Sequence, residues 1–169
     1  MATYWTIQTI SKWWEVQSLG YLTGNRAYIW EEFVEPYHWM MEQMGKRISN
    51  YAGEYPVWLW TERPDLRRSG HLEKREQGVL LKIELDPKDV LLSDFQAWHI
   101  VLNHSYLSLY CDDNDQTYSA DELRKSWDLI FEIDQLNHSE AWGGTLYLQG
   151  VTGKIMANQL TLTKTFIAR

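Results

Sequence analysis

The residues best placed to do chemistry are a tryptophan-rich run and the arginines that follow it. In YPVWLWTERPDLRR (55–68), Trp58 and Trp60 alternate with Val57 and Leu59, and Arg63, Arg67 and Arg68 come next. Guanidinium forks bind phosphate through paired N–H donors, and indole faces stack on nucleobases or nicotinamide. Tryptophan beside arginine is what a nucleotide pocket needs. The competing account is a solvated loop whose arginines pair with Glu62, Asp65 and Glu73.

Other chemistries fit less well. Five histidines are scattered at 38, 71, 99, 104 and 138. Glu35 and His38 make a single Glu-x-x-His, whereas a carboxylate-bridged di-metal site needs two such pairs and further glutamates. No protein-built metal site is expected. The acidic run CDDNDQTYSADE resembles a calcium loop in composition alone: counted from Asp112, Thr117 stands where glycine belongs and Leu123 where the bidentate glutamate belongs. There is no Gly-x-Ser-x-Gly elbow, no Gly-x-Gly-x-x-Gly and no P-loop. Cys111 sits in acidic surroundings that disfavour a thiolate nucleophile. His99 shares a stripe with Phe95 and Leu102 and reads as a core histidine bonded to a backbone carbonyl.

Periodicity names the elements that must position these side chains. TYWTIQ (3–8) alternates, with Trp5 and Ile7 on an apolar face and Tyr4, Thr6 and Gln8 on a polar one, as in a half-buried strand. Thr9 or Ser11 caps a short helix that Gly20 stops. From 30 to 48, Trp30, Phe33, Val34, Tyr37, Met41, Met44 and Ile48 form an apolar stripe that kinks or begins at Pro36. Trp39 falls opposite, among Glu32, Glu35, Glu42 and Lys46, and needs a partner of its own. Further strands are expected over 55–61, 78–85, 145–151 and 160–168. Capping boxes at Ser93-Asp94-Phe95-Gln96 and Ser119-Ala120-Asp121-Glu122 open two more helices, the first running to about Asn103. Residues 62–77 make a long loop with five basic residues against four acids. The mixed order of strands and helices predicts one α+β domain over 1–169, with a bent or split antiparallel-rich sheet flanked by three to four helices.

Composition bounds the partners. The chain has 169 residues and a net charge of −7, with ten tryptophans, ten tyrosines and one cysteine. An acidic chain is ill suited to coating duplex DNA, and one cysteine excludes an intramolecular disulfide. The start, MATYWTIQTISKWW, lacks a basic stretch followed by an apolar run, and no segment approaches about 18 apolar residues. A cytoplasmic protein without a membrane partner is expected.

WTIQT, YHWMMEQM, YPVWLW, RPDLR, VLLSDFQAWHIVLN and KSWDLIF, in that order, resemble the bacterial family called domain of unknown function 3841, over nearly the whole chain. The layout also resembles ADP-ribosyltransferases, particularly those acting on nucleic acid. That second resemblance implies a nucleotide ligand with NAD as cofactor, and a protein or single-stranded nucleic acid as acceptor. It implies Gln149 and Thr6 as catalytic positions, with Gln8, Trp58, Trp60, Arg63, Arg67 and His99 as cofactor contacts. Gln149, in LYLQGV, stands where those enzymes carry a glutamate, and the first strand has neither their histidine nor their arginine. A glutamine can hold a ribose hydroxyl but cannot offset the charge that develops as nicotinamide leaves. The implied transfer activity is therefore altered or lost. For the resemblance to hold, Thr6 and Gln8 must meet Gln149 over one cleft. The alternative function is a non-catalytic protein-binding or inhibitor module of a bacterial or phage conflict system, using tryptophan faces such as that of Trp39.

Overall fold

The computed structural model describes residues 1–111, 116–144 and 146–169. The acidic run after Cys111 and the start of the strand expected from 145 fall partly outside them. In chain order the elements are β1 (Ala2–Thr9), α1 (Ile10–Leu19), β2 (Tyr21–Leu22), α2 (Val34–Arg47), β3 (Val57–Trp60), β4 (Gln77–Leu85), β5 (Leu91–Asp94), α3 (Phe95–Leu102), α4 (Ala120–Trp127), α5 (Ile133–Asn137), β6 (Leu148–Thr152), β7 (Ile155–Met156) and β8 (Leu160–Ile167). The fold is α+β, as the mixed order predicts. Among the described residues there is a six-stranded, antiparallel-rich sheet in the order β5-β6-β3-β1-β4-β8, and a two-stranded one of β2 and β7. Internal contacts divide the chain into two compact units. The first comprises Met1–Arg26, Met41–Leu91 and Gly150–Arg169, and the second Ala27–Met40 and Leu92–Gln149.

In the first unit β1 pairs antiparallel with β3 on one side and β4 on the other, and β4 pairs in turn with β8. Thr6 lies opposite Leu81 and Tyr4 opposite Ile83, so this side of β1 shares the apolar face of β4. Tyr4 and Thr6 are buried there, while Trp5 and Ile7 are half-buried. The core therefore takes the face that alternation marks as polar. The reason is that Val57 and Leu59 of β3 and Val79, Leu81 and Ile83 of β4 are buried, and β1 must add its matching face to theirs. Helix α1 has the expected ends: Thr9 accepts from the Lys12 amide at 3.1 Å, and Gly20 closes it at φ 86°.

In the second unit the aromatic residues gather around Trp39. Its indole is 4% exposed, stacks on Phe131 at 5.6 Å and meets Trp127 edge-on at 5.5 Å. This corrects the outward placement of Trp39, and Trp30, placed in the buried stripe, is 68% exposed. A 3₁₀ turn over Glu31–Phe33 precedes α2, so the angular phase carried forward from Trp30 is wrong by the time the α-helix begins. Met44 and Ile48 of the expected stripe are buried, and they are joined by Pro36, Trp39, Met40 and Gln43. The Ser119–Glu122 capping box forms as expected. Helix α3 is capped one residue later than the sequence suggests, by Asp94, whose Oδ1 accepts from the Ala97 amide at 2.8 Å. Ser93 is fully buried.

Candidate functional site

Strand pairing in the first unit assembles a tryptophan face. Trp5 of β1 is the direct cross-strand partner of Trp60 of β3, and Trp58, two residues earlier on β3, points the same way. All three are half-buried. Lys82 of β4 flanks Trp5 on the other side and pairs with Glu84 at 2.8 Å, which also accepts from the Thr3 hydroxyl at 2.8 Å. Above this face the Arg63 guanidinium sits 5.7 Å from the centre of the Trp5 ring. Periodicity alone makes Trp5 a core residue; the signal that would have recovered it is the pairing of β1 with β3.

The loop between β3 and β4 has its own internal order, centred on Asp65. The Asp65 carboxylate accepts from Arg67 Nε at 2.9 Å, from the second guanidinium nitrogen at 3.0 Å and from the Arg67 amide at 3.0 Å. The Asp65 carbonyl accepts from the Arg68 amide at 3.1 Å and lies 2.9 Å from His71 Nε2. Hydrogen bonds from the Arg67 side chain and then its amide hold the Asp65 carboxyl well below the usual carboxylate range. Arg67 is thus engaged by an acid of its own loop, as the solvated-loop account expects, although its side chain is 80% exposed. The loop's end is fastened to the C-terminus: the Arg75 amide donates to the Ala168 carbonyl, and the Ala168 amide to the Glu76 carbonyl.

The polar residues of the expected catalytic pair are held by internal bonds. The Thr6 hydroxyl donates to the Trp58 carbonyl at 2.9 Å and accepts from Gln8 Nε2 at 3.0 Å, so Thr6, Gln8 and Trp58 are together in the first unit. In the second unit, Gln149 is 4% exposed and its Nε2 makes a long 3.4 Å contact with the Ser93 hydroxyl. His99 Nδ1 lies 2.8 Å from the Phe95 carbonyl, the bond expected of a core histidine. Nearby, Asp94 is fully buried, and its Oδ2 accepts from the Tyr147 amide at 2.7 Å while Oδ1 caps α3. This second role depends on a partner 53 residues away and has no local signature. Among the described residues no group of three or more histidine, cysteine or acidic side chains is arranged to hold a metal. No helix among them is long and apolar enough to cross a membrane.

A family model described as Domain of unknown function (DUF3841) matches residues 3–122. The chain belongs to this family. The DUF3841 match contains the whole tryptophan face, the Asp65-centred loop and the Asp94 cap, and it ends in the first turn of α4, before Gln149. Neither the curated proteins nor the solved structures offer a match to the chain.

Proposed function

We propose that this DUF3841 protein is a nucleotide-binding, ADP-ribosyltransferase-like protein that takes its ligand on the tryptophan face of the first unit. A base stacks against Trp5, Trp58 and Trp60, and Arg63 meets a phosphate. NAD is the first ligand to test, in a cytoplasmic protein whose acceptor, if transfer survives, is a protein or a single-stranded nucleic acid. The observation that carries the reading is the exposed Arg63 guanidinium lying over Trp5, which is itself paired with Trp60. A cation and a planar aromatic surface are the two features a nucleotide requires. Lys82, opposite Trp5, is paired with Glu84, so Arg63 is the cation that the reading assigns to a phosphate.

The residues fit binding better than transfer. Position 149 carries no carboxylate, and Thr6 and Gln149 are buried and hydrogen-bonded within the protein. The test is calorimetric titration with NAD, ADP-ribose and AMP. Trp60→Ala should weaken binding by roughly 1–3 kcal/mol, the range for a stacked base. Arg63→Ala should weaken it by about 1.5–3 kcal/mol, the range for a hydrogen bond to a charged group. Nicotinamide release should stay at background. No heat with any of these nucleotides at millimolar concentration, or affinity indifferent to both substitutions, would sink the reading.

A further inference from the structure

The two sides of β1 are held very differently. Toward β4 its ladder runs the full length of the strand, from Ala2 opposite Leu85 to Thr9 opposite Gly78. Toward β3, a strand of four residues, the register is fixed at Trp5 opposite Trp60. Next to that pair a side chain joins the two strands. Thr6 is 2% exposed, its hydroxyl donates to the Trp58 carbonyl at 2.9 Å, and Gln8 Nε2 donates to the Thr6 oxygen at 3.0 Å. A carbonyl only accepts, so the hydroxyl proton is committed to Trp58 and the hydroxyl oxygen is left to accept from the Gln8 amide. The chain from Gln8 through Thr6 therefore has one direction, and it ends on the backbone of β3. A slip of one residue in β3 would carry Trp58 and Trp60 to the face now held by Val57 and Leu59. Thr6 would lose its acceptor in such a slip. It lies opposite Leu81 on the buried, apolar side of the sheet, where a hydroxyl without a partner is costly. Thr6 and Gln8 point away from the side of β1 that carries Trp5, so neither reaches a ligand lying on the tryptophan face.

We propose that Thr6 and Gln8 are positioning residues of the nucleotide site: their hydrogen-bond chain sets the register of β3 and so holds Trp58 and Trp60 on one face with Trp5. Thr6 serves the site through the Trp58 backbone and touches no ligand. The link to a nucleotide rests on the reading above, whereas the hold on β3 rests on strand geometry alone.

The experiment pairs two readouts on the full chain: the indole N–H resonances of Trp5, Trp58 and Trp60, and the calorimetric affinity for AMP. Thr6→Val keeps the shape of the side chain and removes the donor. It should shift the Trp58 and Trp60 resonances and weaken AMP by roughly two- to tenfold, because a hydrogen bond can bias β3 by no more than its own net worth. Thr6→Ser keeps the hydroxyl and should bring both readouts back toward the parent. Gln8→Ala leaves the bond from Thr6 to Trp58 in place and should move both the same way by less. Thr152→Val is the control for a loss that is only structural. Thr152 is 5% exposed on β6 and donates to the Asp89 carbonyl at 2.7 Å, so the same chemical change is made outside the pairing of β1 with β3. That variant should lower the denaturation midpoint and leave the three indoles and the AMP affinity as they are. Parental indole resonances in Thr6→Val, or equal shifts in Thr6→Val and Thr152→Val, would overturn the proposal. If Thr6→Val does not fold, Gln8→Ala decides: shifted indoles support the chain, and parental ones overturn it. A parent protein that binds no AMP sinks the nucleotide reading instead, and the indole resonances still decide the hold on β3.

Discussion

Asp94 has no exposed surface, yet each of its carboxylate oxygens accepts one backbone N–H, from Ala97 at 2.8 Å and from Tyr147 at 2.7 Å. One side chain therefore starts α3 and fastens the segment that leads into β6. Asp94→Ala removes a cap worth about 1 kcal/mol and leaves the Tyr147 amide without its acceptor, a further 1–2 kcal/mol. We expect a total loss of about 2–3 kcal/mol in urea denaturation, with Asp94→Asn near half of that because one acceptor oxygen survives. Asp65 governs the arginine loop in a different way. Its carboxyl is held below its ordinary value by the Arg67 side chain, so the charged form is the one that the folded loop favours. The stabilisation is fully present above the unfolded value, begins to fade below about pH 4, and is lost as pH falls on through the lowered folded value. Amide resonances of Arg67 and Arg68 should shift over that acidic range, and Asp65→Asn should abolish the step. An unchanged titration in Asp65→Asn would assign the transition to another carboxylate.

Among the elements, β3 is the one whose placement matters most for the candidate site, because it carries Trp58 and Trp60. Its entry is set by a close approach of two chain segments. The Gly24 amide donates to the Tyr55 carbonyl at 3.1 Å, and a Cβ on Gly24 would lie 2.8 Å from that oxygen and closer still to the Pro56 carbonyl. Both obstacles are backbone, which cannot swing aside as a side chain can. Gly20 poses the opposite case: its φ of +86° favours glycine, but a Cβ there meets nothing within 4 Å. Gly20→Ala should therefore cost about 1 kcal/mol, for left-handed backbone alone. Gly24→Ala should cost about 3 kcal/mol, through forced displacement of the 55–56 segment. Chemical denaturation of the two variants distinguishes these mechanisms, and Gly24→Ala should in addition alter the near-ultraviolet signal of the tryptophan face.

For the molecule as a whole, sequence charge and composition make a direct prediction. With a net charge of −7 and a pI near 5.2, the protein should pass through a heparin column at physiological salt and be least soluble near pH 5.2. Retention would reveal a basic patch large enough to reopen the question of duplex binding. Much of the local structure was readable from residues close together in the chain. The alternation of β3 and β4, the Thr9 and Gly20 ends of α1, the Ser119 capping box and the long loop between β3 and β4 all depend on neighbours a few positions apart. Alternation and helical phase divide side chains into faces, but a face is buried only when another segment covers it. That is why the covered side of β1, the inward turn of Trp39 and the pairing of Trp5 with Trp60 had to await the structure. The same holds for Thr6 and Gln149, whose partners at Trp58 and Ser93 are separated from them by 52 and 56 residues. Turns, caps and alternating patterns follow from short-range sterics and hydrogen bonding between near neighbours in the chain. Which aromatic rings are covered and which are exposed depends on strand register and packing between distant segments, so the fold sets it.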